Sequence, residues 1–283
     1  MSLLSSPISL CTTRIEMWFN DTPLATGTAF LYECNSRTFL VTNRHNLTGR
    51  HQDTGKPLDE KNLGIPNRIR FKVPVAEQQG NFMVFAQNQV ATMELTWPDE
   101  DSYPWLEHPT WKSKADVVAL DVQKHWPELP KPFAHANIIP HATPLSLHPA
   151  LKVSVIGYPF GQSVGDYYPV WVSGTLASDP SFDVAGKPAM FVDCRTNKGS
   201  SGSPVFAYVA GGLAQVEHGK LNTDKNGVFM QYNHTDGTHW CMFGVPAQRF
   251  LGIYSGRINS GADIGFVWRA EVIEEVCRSA FVK

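Results

Sequence analysis

Apolar residues in this chain come in short runs: "TGTAFLYE", "TFLVTN", "IRFKVPV", "FMVFA", "VATMELTW", "DVVALDV", "VSVIGYP", "YPVWVSGTL", "AMFVD", "GSPVFAYV", "FLGIYS" and "GFVW". Gly, Pro and Asn punctuate them. Runs of this length, rich in Val, Ile, Phe, Thr and Trp, predict β-strands. Many strands at short intervals predict an all-β sandwich or barrel. Only the last segment, "RAEVIEEVCRSAFV", has helical spacing: Val272, Val276 and Ala280 recur every four residues, with Ile273 and Cys277 beside them. It is expected to form a helix across the outside of the sheet.

The stretch Pro130 to Pro149 contains five prolines and little periodicity, and reads as a connection between two halves. The expected organisation is residues 1–129, a linker at 130–149, and residues 150–283. Two further stretches read as long loops, 98–113 (acidic and aromatic) and 210–240 (rich in Gly, Asn, Asp and His); long irregular loops on a β scaffold are often functional.

Composition narrows the function. Of the 283 residues 42% are hydrophobic and 18% charged, with a net charge of -2, as in an ordinary folded protein. No Lys/Arg block supplies the basic stripe of a nucleic-acid binder, so no nucleic-acid partner is expected. The N-terminal "MSLLSSPISLCTTRIEMW" lacks a basic start and a long apolar core, and no later run is long enough to span a bilayer, so no membrane association is expected. Five cysteines at wide, irregular spacings suggest reduced thiols in a cytoplasm. Ten histidines without HExxH, and cysteines without CxxC, give no support for a metal, and no cofactor is expected.

One stretch has an order that composition does not explain. In "NKGSSGSPVF", Gly199 allows a turn that aims successive backbone N–H groups into one small space, Gly202 leaves room beside Ser201, and Pro204 stiffens the exit into a strand. A serine nucleophile needs an adjacent base and donors for an oxyanion; the N–H groups of Gly199 and Ser201 are the candidate donors. The candidate base is His45, which leaves the strand "TFLVTN" as a loop begins, an imidazole being able to accept a serine proton near neutrality. A carboxylate at a strand boundary would fix its tautomer. Asp116 opens the run "VVALDV"; Asp121 competes but follows it. "GQSVG", Gly161 to Gly165, matches the G-x-S-x-G elbow, yet Pro159 interrupts its approach and no helix follows.

Read together, "GTAF…LVTNRH", "DVVALDV", "VSVIGYPFG…VWVSG", "GSSGSP" and "GIYSG" resemble, in order, the trypsin-like serine peptidases of the chymotrypsin fold, closest to the bacterial and HtrA-like branches. The resemblance covers roughly Thr26 to Trp268. It implies two six-stranded antiparallel β-barrels with the site between them, the first carrying His45 and Asp116, the second Ser201, its oxyanion donors and the C-terminal helix. It implies a serine endopeptidase acting on proteins or peptides through an acyl-enzyme, with a substrate pocket walled by Arg195, Thr196 and Lys198 on one side and Ser255, Gly256 and Arg257 on the other, and Gly265 near its back. Arg195 would hold the pocket floor and select an acidic side chain, or turn outward. The chain departs from secreted members at Ser200, where digestive members carry an aspartate, and at Asn46, where they carry a cysteine. The alternative is a catalytically silent or partner-activated module of the same fold, with an activating protein as a further partner.

Overall fold

The apolar runs become sixteen strands among the described residues. The computed structural model describes residues 6–59, 63–79, 82–95, 103–129, 134–139, 142–165, 167–217, 228–233, 235–259 and 261–282. The first half contains β1 (Thr12–Phe19), β2 (Thr22–Cys34), β3 (Arg37–Thr42), β4 (Arg68–Gln79), β5 (Phe82–Glu94), β6 (Leu106–Glu107) and β7 (Val118–Asp121). They form one antiparallel sheet in the order β5-β4-β1-β2-β3-β7-β6. The turn from β2 to β3 falls on Asn35 and Ser36, both at positive φ (49° and 62°), the conformation whose twist matches a two-residue hairpin.

The second half contains β8 (Lys152–Gly157), β9 (Val170–Leu176), β10 (Ala189–Asp193), β11 (Pro204–Val209), β12 (Gly212–Val216), β13 (Val228–Asn233), β14 (His239–Phe243), β15 (Ala247–Arg257) and β16 (Ile264–Arg269). Six of these close a barrel, β10-β16-β15-β11-β8-β9. The architecture is thus all-β and chymotrypsin-like, one barrel closed around its ring and the other a curled seven-stranded sheet. The stretch 210–240 is not simply a loop: β12, β14 and β13 form a three-stranded sheet. Along β14 buried and half-buried side chains alternate, a pattern that the polar residues around it obscure in sequence. The stretch 98–113 holds the short β6 within its described part.

Short helices at Pro7–Leu10, Arg44–Thr48 and Val122–His125 escape periodicity because one turn shows no repeat. The C-terminal helix spans Ala270–Arg278. It lies over the seam of the two halves rather than on one sheet: Val272, Ile273, Val276 and Cys277 are buried with Phe30, Phe39 and Val41 of the first half and Phe206, Ile253 and Trp268 of the second. Separate cores fill the first sheet (Ile15, Leu31, Phe71, Leu120) and the closed barrel (Val153, Val192, Val205, Val267). All five cysteines are buried and free; burial pushes the Cys11 thiol up to about 12 and Cys194 to about 11. No helix among the described residues is long and apolar enough to cross a membrane.

Near the site the halves are joined by Thr28 of β2, which is fully buried. Its N–H donates to the Ser201 carbonyl (2.9 Å), its hydroxyl donates to the Gly199 carbonyl (2.8 Å) and accepts from Tyr158 N–H (3.1 Å), and its carbonyl accepts from the Thr42 hydroxyl (2.7 Å). Gly202 completes the fit, at φ +90°: a Cβ there would stand 1.9 Å from the Thr28 carbonyl oxygen.

Two outcomes follow for stability. Thr28→Val, nearly isosteric, strands the Gly199 carbonyl and the Tyr158 N–H, and is expected to cost about 1–3 kcal/mol for each group left unsatisfied, read by denaturant unfolding. Gly202→Ala is expected to cost clearly more than Gly186→Ala, which at φ +69° meets nothing within 4 Å and bears only the left-handed backbone penalty of about 1–2 kcal/mol. Equal unfolding midpoints for the two alanine variants would show that the Thr28 contact is not tight.

Candidate active site

Strand pairing brings Asp116 to His45. β3 and β7 are antiparallel neighbours, with Thr42 opposite Val118. The residues just past the end of β3 therefore meet those just before the start of β7. His45 Nδ1 lies 2.7 Å from Asp116 Oδ2, and its backbone N–H donates to Asp116 Oδ1 (3.0 Å). The carboxylate thus fixes both the ring and the chain that carries it. Asp116 is only 3% exposed. Asp121 is occupied elsewhere: it caps the Val122–His125 helix through Lys124 N–H (3.2 Å) and pairs with Arg37.

A third donor to Asp116 comes from the other half. The Ser255 hydroxyl donates to Asp116 Oδ2 at 2.6 Å. Asn43 Nδ2 donates to the Asp116 carbonyl (2.7 Å) and to Ser255 Oγ (3.1 Å), tying the three together. From sequence Ser255 was expected only in a pocket wall. Nothing local to residues 253–257 announces a carboxylate partner, because that partner is 139 positions away.

The loop that carries Ser201 turns at its glycines. Gly199 sits at φ +92°, and a Cβ there would stand 2.3 Å from the Tyr158 carbonyl oxygen. The Lys198 carbonyl accepts from Phe160 N–H (2.5 Å). A trans peptide points its C=O and N–H in opposite directions, so the Gly199 N–H faces away from Phe160. The Ser200 carbonyl likewise accepts from Ser203 N–H (3.1 Å), which turns the Ser201 N–H away from Ser203. Neither the Gly199 nor the Ser201 N–H has an acceptor among the described residues. Of the three serines, Ser200 (1% exposed) and Ser203 (0%) are buried, whereas Ser201 lines the cleft. Its hydroxyl donates to the Ser255 carbonyl (3.1 Å) and not to His45, although His45 and Ser201 line one cavity.

On one flank of Ser201 a cavity of about 330 Å³ is lined by Thr196, Lys198, Gly256 and Arg257 among others, with Tyr254 below. Ser255 and Gly256 also line a neighbouring cavity of about 480 Å³ that reaches His45 and Asp116. Arg195 does not reach the floor: it is exposed and lines neither cavity. Tyr254 does line the smaller cavity, its ring packed so closely against Gly265 that a Cβ there would stand 2.3 Å from it, with its hydroxyl bonded to the Thr196 hydroxyl. Burial pushes the Tyr254 phenol up to about 12. Just past the end of β10, Arg195 is exposed whereas the neighbouring Thr196 is buried. The "GQSVG" segment follows a turn at Pro159–Gly161 with no helix after it among the described residues before β9, and the Ser163 hydroxyl donates to the Gly165 carbonyl (3.1 Å); it is a loop.

No family model and no curated protein matches the chain. Among solved structures it is similar to the serine endoprotease from Yersinia pestis, with 12% identity and a TM-score of 0.49 over 96% of this chain; it spans 62% of that protein's length. It is also similar to the Rv3671c protease in an inactive form (15% identity, TM-score 0.42, 98% of this chain and 94% of that one). The active form of that protease from M. tuberculosis gives 14% identity and a TM-score of 0.42 over 97% and 84%. These structural neighbours are serine proteases; at such values the likeness adds nothing to what the geometry above supports.

Proposed function

We propose that the chain is a serine endopeptidase that hydrolyses peptide bonds through an acyl-enzyme on Ser201. The supporting observation is the gathering, around one cavity, of a His45 imidazole held by Asp116 (2.7 Å), the Ser201 hydroxyl, and two backbone N–H groups with no acceptor among the described residues. In the reaction, Ser201 Oγ attacks the scissile carbonyl while His45 Nε2 takes its proton. The carbonyl electrons move to oxygen, which Gly199 and Ser201 N–H stabilise, and collapse of the intermediate expels the amine, protonated by His45. Water then repeats the sequence on the acyl-serine. Asp116 keeps the proton on Nδ1 and stabilises the imidazolium.

Catalysis requires the Ser201 hydroxyl to leave the Ser255 carbonyl for His45, a side-chain rotation of the kind that takes picoseconds to nanoseconds. The same hydrogen bond favours a second reading, a chain that rests inactive until a partner repositions Ser201. The five buried free thiols support residence in a reducing compartment, the cytoplasm.

Ser201→Ala is expected to lower turnover of a reporter peptide by about a million-fold, whereas Ser200→Ala and Ser203→Ala retain a working nucleophile. Asp116→Asn is expected to lower kcat by about 10⁴-fold, through the wrong imidazole tautomer. A serine-directed phosphonate should label Ser201 in the isolated chain. Labelling only after addition of cell extract would identify the partner-activated form, and no labelling under either condition would remove the peptidase reading.

A further inference from the structure

Away from the cleft, one face of the first sheet carries an unbalanced set of charges. Glu16 of β1 lies opposite Arg70 of β4, and two positions along from each, Arg14 and Lys72 stand on the same face. Arg14 donates to Glu16 (2.8 Å) and, through Nη1, to the Gly161 carbonyl (2.9 Å). Arg70 and Lys72 have no ion-pair partner among the described residues. Arg68, on the same face of β4, is by contrast paired with Asp21 (3.4 Å) and Glu94 (4.0 Å).

A charged strand face is ordinarily open to water, but this one is walled. Tyr158, Ser163 and Tyr167 of the second half enclose the four charged residues in a cavity of about 210 Å³. Both tyrosines are buried and fixed: the Tyr167 hydroxyl donates to the Thr12 carbonyl (2.7 Å), and the Tyr158 hydroxyl to the Tyr167 carbonyl (2.7 Å). Low-dielectric walls around charges of one dominant sign concentrate their field. Size and charge then define the ligand. The volume lies below the roughly 300–1,000 Å³ of sites for drug-sized molecules, so the cavity admits one small anionic group. Three cations less one carboxylate leave a net charge of about +2. A carboxylate balances half of it, whereas a phosphoryl group carries about -1.5 to -2 at neutral pH, with three acceptor oxygens. Arginine forks match that geometry and lysine adds a point charge.

We infer that this pocket binds a phosphoryl anion, as inorganic phosphate or as the phosphoryl end of a small phosphate monoester, and that its occupancy steadies the Ser201 loop. Arg14 is the link. Its guanidinium holds the Gly161 carbonyl, and the Pro159–Gly161 turn holds the Lys198 carbonyl through Phe160 N–H. That peptide sets the direction of the Gly199 N–H. With the pocket empty, Arg70 and Lys72 repel Arg14 across neighbouring strands; a bound anion removes the repulsion and keeps Arg14 on the turn. The binding site stands independently of the peptidase reading above, while the effect on the loop rests on it.

The test is titration of the full chain with inorganic phosphate and, separately, methyl phosphate, each against sodium chloride of equal ionic strength, followed by calorimetry and phosphorus NMR linewidth. Saturable binding is expected, weakened about tenfold or more when Arg70→Gln is combined with Lys72→Gln. If the double variant does not fold, Arg70→Gln alone, at an exposed position, decides. Binding of both ligands assigns the pocket to monoesters as well as to the free ion, and binding of inorganic phosphate alone assigns it to the free ion. Phosphate is further expected to speed phosphonate labelling of Ser201 about fivefold or more in the wild type and not in the double variant. No binding beyond the chloride control, or binding that the substitutions leave unchanged, would overturn the site. Binding without faster labelling would overturn the effect on the loop and leave the peptidase reading standing. Absence of labelling under every condition would remove the peptidase reading, and calorimetry would still decide the site.

Discussion

The structure depends on the hydrogen bonds that Thr28 makes across the seam between its two β units. The first unit holds the imidazole and the carboxylate, and the second holds the hydroxyl and the N–H groups beside it. Neither unit alone contains all of these groups. Thr28 reaches the carbonyls of Gly199 and Ser201, on either side of the loop's central peptide, and takes up Tyr158 N–H as well. In a fully buried position these groups have no water to fall back on, so each bond is far more costly to lose than its modest net worth suggests. Gly202 packs against the Thr28 carbonyl so closely that no side chain fits between them.

A second seam contact connects Asp116 to Ser201. Ser255 donates its hydroxyl to Asp116 and offers its carbonyl to Ser201, while Asn43 bonds both to the Asp116 main chain and to Ser255 Oγ. The carboxylate is thus held from both units at once, and one residue sits between it and the resting hydroxyl. Because Ser255 begins the last few residues of β15, the strand that borders two cavities of the cleft, the orientation of Asp116 is tied to the wall of those cavities.

Much of this was legible from local pattern. The strand runs, the Asn35–Ser36 turn, the special backbone at Gly199 and Gly202, and the helical spacing from Val272 to Cys277 all express constraints between near neighbours. Other features were hidden. The sheet within 210–240 was masked by polar residues around short strands. The helix looked like a cover for one sheet, but its apolar face is wide enough to fill the seam between two, burying Trp268 with Phe30 and Phe39. Arg195 was a possible pocket floor only while the direction of its side chain was open; it is exposed, whereas the neighbouring Thr196 is buried and bonded to Tyr254, and both of these line the cavity.

By itself, then, the sequence determined the β character of the chain, its turns, and a short set of residues chemically able to act: His45, Asp116 and Ser201 with Gly199. Tertiary structure alone decided which of them meet. His45 and Asp116 are 71 positions apart, and Asp116 and Ser255 are 139 apart. Periodicity and backbone freedom act over a few residues and leave their mark there. Contacts at such separations depend on which strands pair, in what register, and on what the seam can bury, and those quantities exist only once the whole chain has folded.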